Sequence, residues 1–309
     1  EIDINRVIDA AKAVAIPMDK EILHIIPQGF TVDGQGGIKY PIGMVGTRLE
    51  CQIHILTSPV SSIQNVLKSM SRSGLEIKDI VLQNIASARS ILAEDEKELG
   101  VLMLDIGCET VKASVYFNQA PYYNSIYPLG GYLITNDLAQ GLRIPFSTAE
   151  KLKIAFGVTH PNYVEEGETI QIPNVGGRTP KILARENLID IIKPRVEEIF
   201  NIIKEDIKEQ GYFDKISGGI VLSGGTSLLP GIVDVCQDVF DIQTRVGRPK
   251  KFIGLGDQLT SPEYSVACGL VLWGYERANK TNDLSSKNKK EEGKKGIGKF
   301  LKDFINDLF

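Results

Sequence analysis

The chain has 309 residues, more than one ordinary hydrophobic core organises, so two or more domains are expected. Apolar residues make up 42% and charged residues 24%, ordinary proportions for a globular protein, and the net charge is −4. Seven lysines and four acids fall between Ser285 and Phe309, so that stretch carries +3 and the rest −7, which excludes the body as a nucleic-acid binder on electrostatic grounds.

In chain order, Ile2 to Val14 reads as a helix, and Ile22 to Phe30 and Gly37 to Ile42 as short strands around Gly-rich turns. Leu49 to Ile55 alternates apolar and polar residues, the mark of a half-buried strand. Ser58 and Pro59 open a helix, with Ser58 as N-cap, Ile63, Leu67 and Met70 on its apolar face and Gly74 at its end. Ile77 to Leu82 is expected to be a strand and Ala86 to Leu92 a short helix. Val101 to Leu104 is a continuous apolar run, as a central buried strand requires, and strands follow over Val111 to Phe117 and Ser125 to Leu129. A helix spans Ile134 to Gly141. Ser147–Thr148–Ala149–Glu150 has the capping-box pattern and opens another that closes at Gly157. Thr159 to Lys181 reads as loop with one strand at Thr169 to Ile172. Arg185 to Gln210 is a long helix that Pro194 should kink or split. Ile220 to Ser223 is a second buried strand, then a Gly–Gly–Thr turn and a helix from Pro230; a last helix runs from Ser261–Pro262–Glu263 through Trp273.

A polar stretch from Asn279 to Lys295 cannot build a core. Beyond it, read as a helix from Gly296, Ile297, Phe300, Leu301, Phe304, Ile305, Leu308 and Phe309 share one face. Lys295, Lys299 and Lys302 lie off that face. Seven large apolar side chains give roughly 10–15 kcal/mol if fully buried. Interfacial burial is partial, and ordering the segment costs about 1 kcal/mol per residue. The result is a weak, reversible anchor that gains strength when many copies act together. Docking on its own domain or in a protein groove are the alternative uses of such a helix.

Cys51, Cys108, Cys236 and Cys268 are scattered without paired spacing, which fits a reducing cytosol and gives no zinc or disulfide signal. His24, His54 and His160 read as structural or surface residues. No apolar run reaches 18 residues. The chain opens on Glu1, not Met, so its natural N-terminus is expected to be missing.

Three local patterns bear on chemistry. Asp105–Ile106–Gly107–Cys108–Glu109–Thr110 joins two strands, and an acid, a glycine and a hydroxyl in this order can hold a metal-bound phosphate; a tight hairpin explains it equally. Ser223–Gly224–Gly225–Thr226 lies between a buried strand and a helix, where a nucleotide fits. Glu150 and Lys153 share a helix face and can bracket a ribose and base, or form a solvated ion pair. Their order is the layout of the second half of an actin-like ATPase.

Here the chain resembles the FtsA family of bacterial cell-division proteins. The stretches that carry the resemblance include GMVGTRLECQIHILT, ASARSILAEDEKELGVLMLDIG, IYPLGGYLITNDLAQGL, AEKLKIAFG, IPNVGGRTPKILAREN, GGIVLSGGTSLLPGIVDVCQDVF and SPEYSVACGLVLWG. The resemblance implies an α/β actin-like fold of RNase H-like lobes with the family's 1C subdomain and a C-terminal amphipathic helix. It places 1C at 1–56, parts of 1A at 57–98 and 262–280, 2A at 99–131 and 205–261, and 2B at 132–204. A flexible linker at 281–295 and a membrane-targeting helix at 296–309 follow. It implies a scaffold that tethers filaments of FtsZ to the cytoplasmic face of the cell membrane at the division site, polymerises with itself and recruits other division proteins. ATP with Mg would be held by Asp105, Gly107, Thr110, Glu150, Lys153, Gly224, Gly225 and Thr226. The FtsZ C-terminal tail would meet Lys181, Arg185 and Arg195, and anionic lipids the helix with Lys295 and Lys299. No residue is assigned a catalytic role.

Two departures stand out. The family's phosphate loop reads D-I-G-G-G-T-x-D, whereas Cys108 and Glu109 replace two glycines here and Lys112 the second acid. Side chains then stand where backbone N–H groups approach phosphate, and weak nucleotide binding with little hydrolysis is expected. The family's first phosphate loop lies upstream of 1C, so this chain resembles an N-terminally truncated piece carrying half of a nucleotide site. The competing readings are an actin-like or Hsp70-like ATPase, a sugar kinase, and a pilus-assembly actin-like protein.

Overall fold

The computed structural model describes residues 2–13, 16–172, 180–249 and 259–288, and divides into two compact units. Among the described residues the first comprises 2–13, 16–86, 120–122 and 269–288, and the second 87–119, 123–172, 180–249 and 259–268.

The first unit opens with helix α1 (Ile2–Ala11), followed by strands β1 (Lys20–Val32), β2 (Gln35–Ile38) and β3 (Leu49–Pro59). They form an antiparallel sheet in the order β2-β1-β3. Asp33 and Gly34 both have positive φ, the two-residue hairpin that an Asp–Gly pair favours. Asp33 also accepts the backbone N–H groups of Thr47 and Arg48, which ties down the far end of the following loop. Pro27 sits in the central strand, where a missing N–H would break the ladder; the register shifts there, between Pro27 and Gly29. Ile4 and Ile8 of α1 bury against Phe30.

Helix α2 (Val60–Arg72) begins one residue later than the sequence suggests. Ser58 still belongs to β3, and Pro59 is the N-cap with no side-chain cap bond. Residues 77–82 are not a strand. Their backbone groups find side chains instead: the Leu82 N–H donates to His24 Nε2 at 3.0 Å and the Ile80 N–H to Asp79. Trp273 Nε1–H donates to Asp79 Oδ2 at 2.8 Å, and Arg277 pairs with the same carboxylate. Helix α3 (Gln83–Ile91) and helix α4 (Glu94–Leu99) follow; the sequence reading missed α4.

The second unit is built on strands β4 (Val101–Ile106), β5 (Val111–Phe117), β6 (Ala120–Tyr127), β9 (Ile220–Ser223) and β10 (Thr244–Val246), in the order β10-β9-β4-β5-β6. β4 runs parallel to β9 and antiparallel to β5. Every residue of β4 is buried because both faces are covered. Leu102, Leu104 and Ile106 face the larger core with Ile192, Phe200 and Ile203; Val101 and Met103 face Ala88 and Ile91 of α3. Helices α5 (Gly131–Leu142), α6 (Phe146–Phe156), α7 (Ile189–Glu209) and α8 (Ile232–Phe240) complete it, with a small hairpin of β7 (Thr169–Ile172) and β8 (Lys181–Ala184).

Four differences from the sequence reading have local causes. α6 starts at Phe146 with Pro145 as N-cap, so Ser147 lies inside the helix and no capping box forms; the Glu150 carboxylate is taken by other partners. A 3₁₀ turn over Arg185–Leu188 precedes α7, which passes Pro194 as one element. Pro194 is the sixth residue of that helix, so it forgoes the bond to the Asp190 carbonyl without dividing the element. A second 3₁₀ turn over Gly225–Leu228 separates the Gly–Gly–Thr segment from α8, which starts at Ile232 and not at Pro230. Helix α9 (Ser265–Asn288) runs well past Trp273, through the beginning of the stretch expected to be a linker. The segment is proline-free, and the helix continues through it although Asn279, Thr281, Asn282, Asp283, Ser285 and Ser286 are weak helix formers. The amphipathic segment at 296–309 lies outside the described residues, and among those described no helix is long and apolar enough to cross a membrane.

Candidate functional site

The turn between β4 and β5 is a tight hairpin in which the Gly107 N–H donates to the Thr110 carbonyl at 2.9 Å. Its own carbonyls point away from the ladder. Gly107 O accepts the Gly131 N–H at 2.9 Å and the Thr226 hydroxyl at 3.2 Å, and Cys108 O accepts the Tyr132 N–H at 2.7 Å. Two segments far apart in sequence, the start of α5 and the Gly–Gly–Thr loop, therefore meet on one backbone carbonyl.

The third segment joins through α6. Lys153 Nζ donates to Gly131 O at 3.0 Å, to Thr135 Oγ1 at 2.8 Å and to Glu150 Oε2 at 2.8 Å, which uses all three ammonium protons. The Thr135 hydroxyl also bonds to Glu150, with Gly131 O at 3.1 Å as its other acceptor. Lys153 is buried and Glu150 about one third exposed, so this is not the solvated pair that i,i+3 spacing ordinarily produces. The Lys153 ammonium and the Thr135 hydroxyl hold the Glu150 carboxyl below its usual range, against desolvation that acts the other way. Oε2 is engaged; among the described residues Oε1 has no hydrogen-bond partner.

Only a glycine fits at position 131. A Cβ there would lie 2.5 Å from Thr226 Oγ1 and 3.3 Å from Lys153 Nζ. Gly131 and Thr135 are thus members of this cluster that sequence reasoning missed. The available signal is the Gly130–Gly131 pair just ahead of the expected helix. Gly224 packs its Cα against Asp105, Gly225 is exposed and Thr226 is buried.

Asp105 is almost fully buried, and that desolvation pushes its carboxyl above the ordinary value of 3.8, with Lys112 acting in the opposite direction. A raised carboxyl favours the protonated form in the folded state. Its stabilising contribution is complete below pH 3.8 and is lost as pH rises through the folded-state value. Asp105→Asn is therefore expected to melt at higher temperature than the parent at pH 7, with the advantage gone at pH 3.5. Calorimetry at the two pH values checks this, and equal gains at both would refute it.

The remaining sequence-predicted positions behave differently. Lys181 is exposed at the start of β8. Arg185 places Nη1 3.0 Å from both Glu168 oxygens and donates from Nε to Phe156 O at 2.9 Å. Arg195 pairs with Asp137 through Nε at 2.5 Å and Nη2 at 3.0 Å, and with Glu198. Arg185 and Arg195 are thus each committed to carboxylates of this chain. Residues 295–309 lie outside the described residues.

Residues 1–57 match the SHS2 domain inserted in FtsA, and residues 102–269 match the family described as cell division protein FtsA. A cell division protein FtsA from Borreliella burgdorferi is 43% identical over 99% of this chain and 75% of its own length. Those of Pseudomonas aeruginosa and Escherichia coli K12 are 39% and 36% identical, over 99% and 89% of this chain and 74% and 67% of their own lengths. Among solved structures, MreB5 of Spiroplasma citri bound to AMPPNP aligns with TM-score 0.57 at 19% identity, over 73% of this chain and 66% of that one. A PilM–PilN type IV pilus biogenesis complex aligns with TM-score 0.59 at 18% identity, over 88% and 72%. With both family domains present in order and relatives above one third identical along most of its length, the chain belongs to the FtsA family of cell division proteins and has their actin-like fold.

Proposed function

We propose that this protein is a membrane-attached scaffold that anchors FtsZ filaments at the division site, polymerises on the membrane and recruits later division proteins. The observation that carries the reading is family membership together with the gathering of three separated motifs around the Gly107 carbonyl. That cluster suits a nucleotide. Glu150 offers a free carboxylate oxygen for a ribose hydroxyl, the Gly224–Thr226 loop an exposed glycine for a base, and the turn from Asp105 to Thr110 lies beside it for the phosphates. ATP is the ligand this reading assigns. Mg does not fit the turn as it stands. Asp105 is a buried carboxyl facing a lysine, and Glu109 is the other acid, at the exposed tip.

Turnover is not part of the proposal. The FtsZ tail is assigned to the surface around Lys181, with Arg185 and Arg195 shaping it from within their ion pairs. Membrane attachment is assigned to the apolar stripe of residues 297–309, on the cytoplasmic face. The experiment is flotation of the full chain with phosphatidylglycerol-rich vesicles in the presence of FtsZ filaments. The chain is expected to float and carry FtsZ with it, and Phe300→Glu with Phe304→Glu to leave both at the bottom of the gradient. A double variant that still floats would overturn the membrane assignment; a floating chain that leaves FtsZ behind would overturn the scaffold.

A further inference from the structure

Lys112 holds a resident positive charge at the phosphate-binding turn. It is the antiparallel Cα partner of Asp105, so the two side chains leave the same face of the sheet. Its Nζ lies 3.9 Å from where a Cβ on Gly107 would stand, which puts the ammonium over the mouth of the turn. The side chain is half-buried. Among the described residues its Nζ has no hydrogen-bond partner and no ion pair, although Asp105 feels its charge. A half-buried ammonium without a protein acceptor has its three donors left for water or for a ligand. A phosphate oxygen supplies what they lack, and lysine serves phosphate as a point charge.

We propose that Lys112 supplies the cation for the ligand at this turn, so that the chain binds a nucleoside polyphosphate without a divalent metal ion. The inference rests on the nucleotide reading above and goes beyond it in assigning the counter-charge to a side chain. The surrounding groups agree with it. A divalent ion held at Asp105 would face the ammonium at short range, a like-charge contact, whereas the ammonium and a phosphate attract. Glu109 at the exposed tip opposes the ligand's charge, which makes a resident cation at the turn more important.

The test is binding of a fluorescent ATP analogue to the full chain, measured once with excess Mg and once with EDTA. The parent is expected to show Kd values within about twofold of each other in the two conditions. Lys112→Asp is expected to lose roughly tenfold or more in EDTA and to recover part of that loss with Mg, while Lys112→Arg keeps the parent's behaviour. Inorganic tripolyphosphate should displace the analogue from the parent in EDTA. Thermal melts of each variant separate misfolding from lost binding, and should Lys112→Asp fail to fold, the ratio of the parent's two Kd values decides alone. Binding by the parent that collapses tenfold in EDTA overturns the role of Lys112 and leaves the nucleotide site standing. No binding in either condition overturns the nucleotide reading itself, and this proposal with it.

Discussion

Replacing Lys153 by Met is expected to lower the stability of the second unit by about 3 kcal/mol, because it removes one member of a buried charged cluster and leaves the others in place. Glu150 Oε2 would lose its ammonium partner, Gly131 O a donor, and Thr135 Oγ1 the bond that fixes it. For a unit of this size each kcal/mol moves the melting temperature by about 2–4 °C, so a fall of about 10 °C is anticipated in a calorimetric scan. Glu150→Gln should do less harm, because the amide oxygen that replaces Oε2 still accepts from the Lys153 ammonium and the Thr135 hydroxyl. The contrast between the two variants is the discriminating result. A Lys153→Met protein that melts with the parent would mean the pair is solvated after all. Nucleotide affinity should fall in step with stability here, because Lys153 supports Gly131 and Glu150, and all three of its donors are already spent within the protein.

Gly100→Ala is expected to be at least as disruptive, at about 4 kcal/mol. Gly100 has φ +108, a backbone region that residues with a Cβ rarely enter, and a Cβ there would meet the Lys215 carbonyl oxygen at 1.8 Å. The obstacle is backbone, so no side chain can swing aside. The Gly100 carbonyl also accepts the Gly218 N–H at 2.5 Å, and the Leu102 N–H, two residues on, donates to the Gly219 carbonyl at 3.1 Å. Moving Gly100 to relieve the clash therefore pulls on the entry to both central strands, β4 and β9. Strain at a positive φ costs about 1–3 kcal/mol and overpacking a further 1–3. The expected readout is loss of soluble full-length protein at 37 °C or a melting temperature lower by about 10–15 °C. A variant that melts within about 2 °C of the parent would show that the 215–219 segment shifts freely.

Much of the framework is legible in the residues themselves. Strands over Val111–Phe117, Thr169–Ile172 and Ile220–Ser223 have the boundaries that alternation and apolar runs predict, and the buried β4 is predictable from its unbroken apolar run. These signals survive translation into structure because they report a property of one segment: which faces of it must leave water. The strings that resemble the FtsA family work in the same way, since each is a local pattern, and they led to the family.

What the sequence could not settle concerns partners from other elements. Ser147–Glu150 has every residue of a capping box, yet Glu150 turns to Lys153 and Thr135, because a buried ammonium binds a carboxylate more strongly than one backbone N–H does. Ile77–Leu82 has strand-like apolar content, yet the Leu82 N–H donates to the His24 imidazole and not to a strand. Arg185 and Arg195 look like free cations in the sequence and are half of ion pairs in the fold.

Composition, periodicity and local strings therefore determined the strand core, the α/β class and the family. Only the tertiary structure decided that Gly131, Thr135 and Lys153 form one buried unit beside the turn between β4 and β5, and that the Lys112 ammonium stands over that turn. The physical reason is the same in each case. Burial of apolar faces depends on spacing within a segment, whereas the state of a buried polar group depends on which donor or acceptor the fold brings to it from elsewhere in the chain.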